Sequence, residues 1–373
     1  MIVRVLHVAS GRLYGGVERM LATLAESASL AGGLIFEFAV ATDGRLSDEL
    51  RERGVQVHGL GNVRLSRPAS VLRARHYLRG ILDQRPYAAV VCHAPWSHAI
   101  FGSIVRACGV PSVLWQHDRA TGTTLVERAS RVIGADLVIC NSQWTAQSAG
   151  LLQPHAPHRV VYCPVAPEPA TTKDRAEIRA TLGASSADVV LLAASRLEPW
   201  KGHLDLVRAL ARLTARSWRL WIAGGAQRPH EREYVAAIEA EVRRLRLESR
   251  VRLLGERRDV RRLLAGADLL AQANAGPEPF GVVFAEALLA GVPVVTTNMG
   301  GAPEIVDESC GRLVAPHDLD ALATALEELV SDAALRASLG AAGFAHAAAR
   351  CDPSVVLPRL EAALLSVSVP TAA

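Results

Sequence analysis

Two glutamates on either side of a glycine turn form the most informative segment of the sequence. Glu278-Pro-Phe-Gly281 precedes an apolar stretch, Val282 to Leu289, in which Glu286 is the only charged residue. The two carboxylates are separated by about 2.2 helical turns, so both can face one ligand at different depths. A carboxylate on an apolar helix needs a polar partner, and sugar hydroxyls would provide one. A helix-capping Glu plus a structural ion pair is the alternative.

Two cations follow the apolar run Val189–Ala194. Arg196 comes directly after this run, and Lys201 stands at the turn into a helix that begins near His203. Fixed cations beside a helix N-terminus suit a diphosphate, which carries charge on several oxygens. A pair of solvated surface cations is the alternative.

Glycine pairs follow two other apolar runs. Gly15-Gly16 comes after the first run of the chain, and Gly300-Gly301 comes after Val294–Thr296. Glycine allows a ligand to approach the backbone closely, and a helix N-terminus after it favours an anion. The spacing is not G-x-G-x-x-G, so the dehydrogenase fingerprint is absent. Plain strand–helix turns remain the alternative.

Histidines stand at the ends of two further runs. His117-Asp118 follows Ser112–Trp115, and His93 and His98 flank Ala-Pro-Trp-Ser. A single histidine is more often structural than functional. Several at strand ends favour a functional cluster.

The composition is that of an ordinary globular protein. The 373 residues are 50% hydrophobic and 21% charged, with a formal net charge of +4 and only 5% aromatic residues. These values argue against a nucleic-acid partner. The six cysteines form no C-x-x-C pair and are expected to be reduced and mostly buried. No uninterrupted apolar run reaches 18 residues, and the N-terminal segment reads as a strand and not a signal peptide, so a cytoplasmic location is expected.

Short β-branched runs alternate with helical patterns along the whole chain. This alternation predicts βαβ units and parallel sheets. The predicted strands are Ile2–Ala9, Phe36–Ala41, Val55–Gly59, Ala88–Cys92, Ser112–Trp115, Leu137–Asn141, Val160–Tyr162, Val189–Ala194, Leu220–Ala223, Val251–Leu254, Leu269–Ala271, Val294–Thr296 and Arg312–Val314.

A proline-rich segment interrupts this alternation. Residues 164–172 are interpreted as a linker, because Pro164, Pro167 and Pro169 cannot extend a helix. The sequence therefore predicts two α/β domains, residues 1–165 and 172–353, with a last helix in 354–373. Ligands of open parallel sheets bind beyond the carboxyl ends of the strands, and two such edges can face each other across a cleft.

In this order, the motifs resemble those of the retaining glycosyltransferases of family four, which have the GT-B architecture. The resemblance covers nearly the whole chain and implies two Rossmann-like parallel-sheet domains facing a central cleft, with the last helix crossing back onto the first domain. It is carried by Gly15-Gly16, His117-Asp118, Arg196 with Lys201, Glu278 to Glu286, and Gly300-Gly301 with Glu304.

The resemblance also implies roles for individual residues. Arg196 and Lys201 would hold the pyrophosphate of a nucleotide sugar, and Glu286 would bind the ribose hydroxyls. Glu278 and the backbone of Phe280 and Gly281 would bind the sugar. His117 would lie near the reacting face of the sugar, and Gly16 would offer its amide to the phosphates or the acceptor. The donor-binding set is completed by Gly15, Val282, Gly300 and Gly301, with a base-binding backbone near Leu254–Glu256.

The function implied is transfer of a sugar from a UDP- or GDP-sugar to a hydroxyl of a glycan, lipid or small molecule, with retention of configuration. Such a reaction belongs to polysaccharide, glycolipid or glycoconjugate biosynthesis. No Asp-x-Asp motif sits at a strand end, so neither a metal nor another cofactor is expected, and Arg196 and Lys201 replace the metal. A nucleotide-sugar epimerase of the same architecture and a non-catalytic nucleotide-sugar-binding protein are the alternatives.

Six arginines lie between residues 64 and 85, opposed only by Asp83. A helix over Ser70–Leu82 would place Val71, Ala74, Leu78 and Leu82 on one face, with Arg75 and Arg79 along its flank. A basic amphipathic helix can rest on anionic lipid at the inner face of the cell membrane. The alternative, which the pattern favours, is an outer helix of the sheet with its apolar face packed inward.

Overall fold

The first half of the chain forms a parallel sheet whose five central strands are buried almost throughout. The computed structural model describes residues 3–30, 33–167, 171–215 and 217–367. Continuous burial means that helices cover both faces of the sheet. The strands are β1 Val3–Ala9, β2 Leu34–Val40, β3 Val57–Gly59, β4 Ala89–His93, β5 Ser112–Gln116, β6 Leu137–Cys140 and β7 His158–Val160. They are all parallel, in the order β3-β2-β1-β4-β5-β6-β7.

Helices connect these strands and begin where local chemistry allows. Pro68 and Pro95 occupy first-turn positions, where a missing N–H costs nothing. Thr124 caps its helix, since its hydroxyl accepts from the Glu127 amide at 3.2 Å. The helices are α1 Gly16–Glu26, α2 Arg45–Glu52, α3 Pro68–Gln84, α4 Ala94–Ala107, α5 Leu125–Ile133, α6 Gln143–Ala146 and α7 Ala149–Leu152.

The second half repeats this plan. Its strands are β8 Val189–Ala194, β9 Trp218–Ala223, β10 Val251–Gly255, β11 Leu269–Gln272, β12 Val294–Thr297 and β13 Gly311–Val314, in the parallel order β10-β9-β8-β11-β12-β13. The helices are α8 Thr172–Thr181, α9 His203–Leu210, α10 Pro229–Arg244, α11 Val260–Gly266, α12 Val282–Leu289, α13 Ala302–Ile305, α14 Leu319–Ser331, α15 Ala333–Cys351 and α16 Pro353–Leu365.

The described chain divides into two compact units. The first contains the residues up to Val165 and those from Cys351 onward, and the second runs from Ala166 to Arg350. Helix α16 thus belongs with the N-terminal sheet, and the Val165 amide donates to the Cys351 carbonyl at 2.8 Å. Ile2 of the first predicted strand, residues 168–170 of the predicted linker and residues 368–373 of the predicted last helix lie outside the described residues.

The predicted strands are confirmed to within two residues at each end, and one of them is displaced as a whole toward the N-terminus. The strand predicted at Val160–Tyr162 lies instead at His158–Val160, where His158 pairs with Val138 at the sheet edge. The strand was not predicted at this position because its residues face solvent and form no apolar pattern, and an edge strand needs none. Helix α1 ends at Glu26 and is followed by a 3-10 turn, Ala28–Leu30.

Helix α3 packs its apolar face inward, as the favoured alternative predicted. Ala74, Leu78 and Leu82 are buried in the core of the first unit. The guanidinium of Arg75 donates to the Ser103 hydroxyl on α4. In the described part of the chain, no helix combines the length and the apolar character that a membrane span needs. All six cysteines are free thiols, and five of them are buried.

A buried carboxylate joins the first three strands of the N-terminal sheet. Glu37 on β2 is 2% exposed and accepts hydrogen bonds from Tyr87 at 2.6 Å and from His58 and Arg85 at 3.0 Å. Arg4 on β1 adds an ion pair at 2.8 Å. Burial alone would raise the pKa of Glu37, but the bonds from Tyr87, His58 and Arg85 outweigh it and lower the pKa.

We expect Glu37→Gln to destabilise the first unit by about 1–3 kcal/mol at pH 7, because a neutral amide leaves buried donors poorly satisfied. A lowered carboxyl pKa stabilises the fold above the unfolded value of 4.5 and ceases to do so as the pH falls through the folded pKa. The deficit should therefore shrink below pH 4.5. Calorimetry against exposed Glu52→Gln checks this, and equal stability of the two variants at pH 7 would contradict it.

Candidate functional site

Lys201 lies in a loop that is locked onto its neighbour by close backbone packing. The loop after β8 contains a 3-10 turn, Pro199–Lys201, and then Gly202 with a φ of +69°. A Cβ atom on Gly202 would stand 1.6 Å from the carbonyl oxygen of Ala273, so only glycine fits. The Ala275 amide donates to the Trp200 carbonyl at 2.7 Å. The loops after β8 and β11 therefore form one rigid support.

The centre of this support is a buried ion pair. The Lys201 ammonium lies 2.5 Å from Oε2 of Glu278, and the two side chains are 10% and 12% exposed. Two amides point at the same oxygen, Asn274 at 3.3 Å and Gln272 at 3.4 Å. The ammonium also lies 3.9 Å from the centre of the Trp200 ring. Lys201 is thus buried, and it is not one of the solvated surface cations considered from the sequence.

The glycine pair after β12 holds the backbone of Glu278. Gly300 has a φ of +68° and forms a parallel bridge with Glu278, and the Gly301 amide donates to the Glu278 carbonyl at 2.7 Å. A Cβ atom on Gly300 would stand 2.2 Å from that carbonyl. Loops after three neighbouring strands, β8, β11 and β12, therefore position one carboxylate.

Helix α12 begins directly beside the ion pair. Gly281 has a φ of +91°, and a Cβ atom there would stand 2.2 Å from the Phe284 ring, so the turn requires glycine. Val282 is the first residue of the helix, and Phe280 before it is buried. The predicted placement is confirmed, with Glu278 before the helix and half-buried Glu286 within it.

Arg196 is also paired with a carboxylate, which sequence analysis missed. Its guanidinium lies 3.0 Å from buried Glu198, which accepts from Trp200 at 2.8 Å and lies 3.8 Å from Arg228. The Arg196 side chain is 30% exposed, whereas that of Glu198 is 9% exposed. Glu198 stands only two residues after Arg196 in the sequence, and this closeness was the available signal.

His203 is a second residue that sequence analysis did not assign. It opens α9 next to Gly202, and its ring nitrogen Nε2 lies 3.2 Å from the Ser195 hydroxyl. Burial, followed by the charge of Lys201, lowers the pKa of His203 to about 3. The ring is therefore neutral at pH 7 and adds a polar group without adding charge.

In the first unit, the predicted glycines form the start of α1. Gly16 is the first helical residue, and the Gly15 amide donates to the Glu18 carboxylate at 3.0 Å. Tyr14 beside them donates to Glu49 at 2.5 Å and lies under the Arg45 guanidinium. The Gly15 amide is thus engaged within its own turn in this structure.

Three histidines of the first unit form a row. The sequence analysis pointed to His93, His98 and His117, but the row consists of His7, His93 and His117. His117 bonds to His93 at 2.9 Å, and His93 bonds to His7 on β1 at 2.9 Å. His98 does not join them, since it lies within α4 and bonds to the Ser130 hydroxyl at 2.8 Å. Sequence analysis missed His7 because a lone histidine within an apolar strand has no distinguishing pattern.

One group of described residues has the composition of a metal site. Asp307, Cys310 and His346 bring a carboxylate, a thiol and an imidazole within 4.8 Å of one another. Asp307 and Cys310 directly precede β13, and His346 lies in α15, so the group lies at the amino edge of the sheet, opposite the edge that carries Lys201. Asp307 already accepts from the Ser309 amide and hydroxyl at 2.9 and 2.5 Å, as a turn residue does.

Family models match both halves of the chain. A model described as Glycosyltransferase Family 4 matches residues 14–169, and one described as Glycosyl transferases group 1 matches residues 174–346. Together they include the loops of both units that carry the candidate residues.

Curated relatives are identical to this chain at about a third of the aligned positions. A GDP-mannose-dependent alpha-(1-6)-phosphatidylinositol monomannoside mannosyltransferase of Mycolicibacterium smegmatis is 31% identical over 66% of this chain and 68% of its own length. A GDP-mannose-dependent monoacylated alpha-(1-6)-phosphatidylinositol monomannoside mannosyltransferase of Corynebacterium glutamicum is 34% identical over 52% and 51%. The chain spans only about half the length of the latter relative.

A solved structure extends the likeness to the whole fold. The Anabaena protein HepE, crystallised with UDP and glucose, is 25% identical and superposes with a TM-score of 0.84 over 98% of this chain and 100% of its own. The parallel-sheet units, the order of the motifs and these matches agree. The chain therefore belongs to the group 1 glycosyltransferases of family four, whose two Rossmann-like domains have the GT-B fold.

Proposed function

We propose that this protein transfers a sugar from a nucleoside diphosphate sugar, linked to UDP or GDP, to a hydroxyl of an acceptor, with retention of configuration. The observation that carries the proposal is the buried Lys201–Glu278 pair at the carboxyl edge of the second sheet, where parallel sheets bind ligands. Such a pair is poor stabilisation for its own sake, because desolvating both charges costs about as much as their attraction returns. A ligand-binding role accounts for its burial.

The geometry lets the pair hold two parts of a donor at once. Lys201 has three N–H donors, and its described hydrogen bond, to Glu278, uses one of them. The side-chain hydrogen bonds described for Glu278 all end on Oε2, and we propose that Oε1 binds a sugar hydroxyl. In this proposal Lys201 binds the diphosphate next to the sugar that Glu278 binds, and Glu286 binds the ribose.

The leaving diphosphate gains negative charge as the glycosidic bond breaks. Arg196 is proposed to turn from Glu198 to this charge, next to Lys201 and the N-terminus of α12. Cations and amides that are already in place lower the barrier without reorganisation during the reaction. Gly16 and His117 of the first unit are proposed to contact the phosphates or acceptor and the sugar, respectively.

The names of the relatives suggest which substrates to try first. The two curated relatives are named for GDP-mannose and for phosphatidylinositol mannosides, and HepE was crystallised with UDP and glucose. We propose GDP-mannose and UDP-glucose as test donors and a lipid-linked glycan as acceptor. A selective rise in the melting temperature would identify the donor, since a ligand of the native state stabilises it.

Loss of either member of the ion pair should abolish transfer. For Lys201→Ala and Glu278→Ala we expect kcat/KM to fall by about 100-fold or more, because each removes a charged contact to the donor. Each single change also leaves the other charge buried and unpaired. The double variant Lys201→Met/Glu278→Gln removes both charges, so it separates the loss of donor contacts from the cost of an unpaired buried charge.

Initial rates and circular dichroism are measured together for these variants. Exposed Lys173→Ala is the matched control, since the ion pair described for this lysine is with Glu177, one turn along α8. A folded Lys201→Ala or Glu278→Ala variant with near-normal turnover would refute the site.

We expect transfer to persist in EDTA. Arg196 and Lys201 are proposed to supply the positive charge that a metal gives in other transferases, so no divalent ion is needed at the diphosphate. Rates after chelation are compared with rates in Mg²⁺ and in matched NaCl. Activity that disappears on chelation and returns with Mg²⁺ or Mn²⁺, but not with NaCl, would exclude this mechanism.

For a lipid-linked acceptor, we propose that the outer side of α3 and the segment before it contact anionic lipid. Leu65, Leu72 and Tyr77 are each more than half exposed there, beside exposed Arg73 and Arg79. This surface differs from the inward face of α3, which is occupied by core packing.

Sedimentation with anionic vesicles tests this contact. Binding should fall with added salt and in Arg73→Glu/Arg79→Glu, because basic side chains near such a surface contribute about 1 kcal/mol each. Arg232→Glu/Arg243→Glu makes the same change of charge on exposed positions of α10 and should bind as wild type. If the wild-type protein fails to sediment with vesicles at low salt, the membrane contact is ruled out.

A further inference from the structure

Three buried histidines of the first unit, His7, His93 and His117, form a continuous hydrogen-bonded chain across neighbouring strands. Strands β1, β4 and β5 are adjacent, and they place His7, His93 and His117 so that each ring overlaps the next at 5.2 Å between centroids. The two N···N distances are both 2.9 Å. The residues are 0%, 4% and 7% exposed. This chain ends at the one histidine to which the proposed function gives a role.

All three rings are neutral at pH 7. Burial lowers the pKa of His7 and of His117 to about 3, and it lowers that of His93 well below the usual value. The rings that contact them, Phe36, Phe38 and Trp115, are uncharged. No carboxylate among the hydrogen bonds and ring contacts of the described residues orients these imidazoles, so each ring depends on the next.

A neutral imidazole has one N–H and one lone pair, so the chain can run in only two directions. In one, each Nε2–H donates to the next Nδ1, from His117 to His93 to His7, and His117 is left with a bare Nδ1. In the other, every proton moves to Nδ1. Among the described residues, His7 Nε2 and His117 Nδ1 have no hydrogen-bond partner.

The surroundings of His7 distinguish the two directions. Its ring lies against Phe36 at 5.2 Å and Phe38 at 5.4 Å, and neither offers a hydrogen-bond donor. An N–H group keeps a weak attraction to an aromatic face, whereas a lone pair gains nothing there. The Phe36 ring stands at 75° to the His7 ring, an edge-to-face arrangement that favours a proton on Nε2 of His7, and that choice sets the direction of the whole chain.

The turn after His93 holds the backbone of the middle histidine. Ala94 has a φ of +72°, a left-handed conformation that costs an alanine roughly 1–2 kcal/mol. The Ser97 hydroxyl donates to the His93 carbonyl at 2.6 Å. A strained and well-bonded junction of this kind is typical of a position where side-chain direction matters.

We infer that His93, supported by His7, is a positioning residue that holds His117 as the Nε2–H tautomer, so that Nδ1 of His117 accepts a hydrogen bond from a hydroxyl of the bound sugar or acceptor. The inference rests on the proposed function for its ligand, but the tautomer itself is a property of the free protein. In the complex, this hydroxyl would be the hydrogen-bond partner that Nδ1 of His117 lacks among the described residues.

The tautomers can be measured directly by ¹⁵N NMR of histidine-labelled protein. We expect His7, His93 and His117 all to be Nε2–H in the wild type. His93→Phe keeps a ring of similar shape but no hydrogen bonds, and should release His117 into a mixture of tautomers. His93→Gln keeps one donor and one acceptor and should restore the single tautomer in part. The control is His98→Phe, which removes a buried histidine of the same unit that bonds to Ser130 outside the chain of three rings and should leave His117 unchanged.

Kinetics give the second measurement. In His93→Phe we expect kcat for transfer to fall about 10-fold or more, as when a catalytic histidine loses its tautomer, with little change in the KM of the donor. A wild-type His117 protonated on Nδ1, or a single unchanged tautomer in His93→Phe, would overturn the inference. Should His93→Phe not fold, His93→Gln and His7→Phe carry the same test. Absence of transfer by the wild type would count against the proposed function alone, because the NMR result does not depend on activity.

Discussion

A lysine and a glutamate taken out of water together are the constraint on which the second unit depends. Lys201 and Glu278 are 10% and 12% exposed, and each would be strongly destabilising if the other were absent. Their separation must therefore be fixed by the backbone. Gly202, Gly281 and Gly300 each lie at a φ or a packing distance that no other residue tolerates. The close packing of the loops therefore holds the charges of Lys201 and Glu278 at a fixed separation.

The parallel sheets make this arrangement possible. Strands β8, β11 and β12 end at the same edge, so three loops distant in sequence meet where one carboxylate can be held from both its backbone and its side chain. The covered strands need only be apolar, and they leave the loops free to carry polar groups. The sheet supplies rigidity, and the loops supply chemistry.

This division of roles between strands and loops explains which features could be predicted from the sequence. The strands and the positions of Glu278 and Glu286 about α12 followed from apolar runs and helical spacing, which are local properties. The Lys201–Glu278 contact joins residues 77 positions apart, and no local pattern encodes it. His7 was missed because it occupies a buried strand position like its apolar neighbours, and β7 was misplaced because an edge strand follows no burial pattern.

The two units differ in how they use buried polar groups. In the second, Arg196 and Lys201 carry full charges that are each balanced by a carboxylate, which suits a ligand with charged phosphates. In the first, the buried histidines are neutral, and they are linked to one another. Neutral groups can select a hydroxyl by hydrogen-bond direction without attracting a phosphate. The two sheet edges therefore present different kinds of polar group, charged pairs in the second unit and neutral, linked imidazoles in the first, and each kind suits a different class of ligand group.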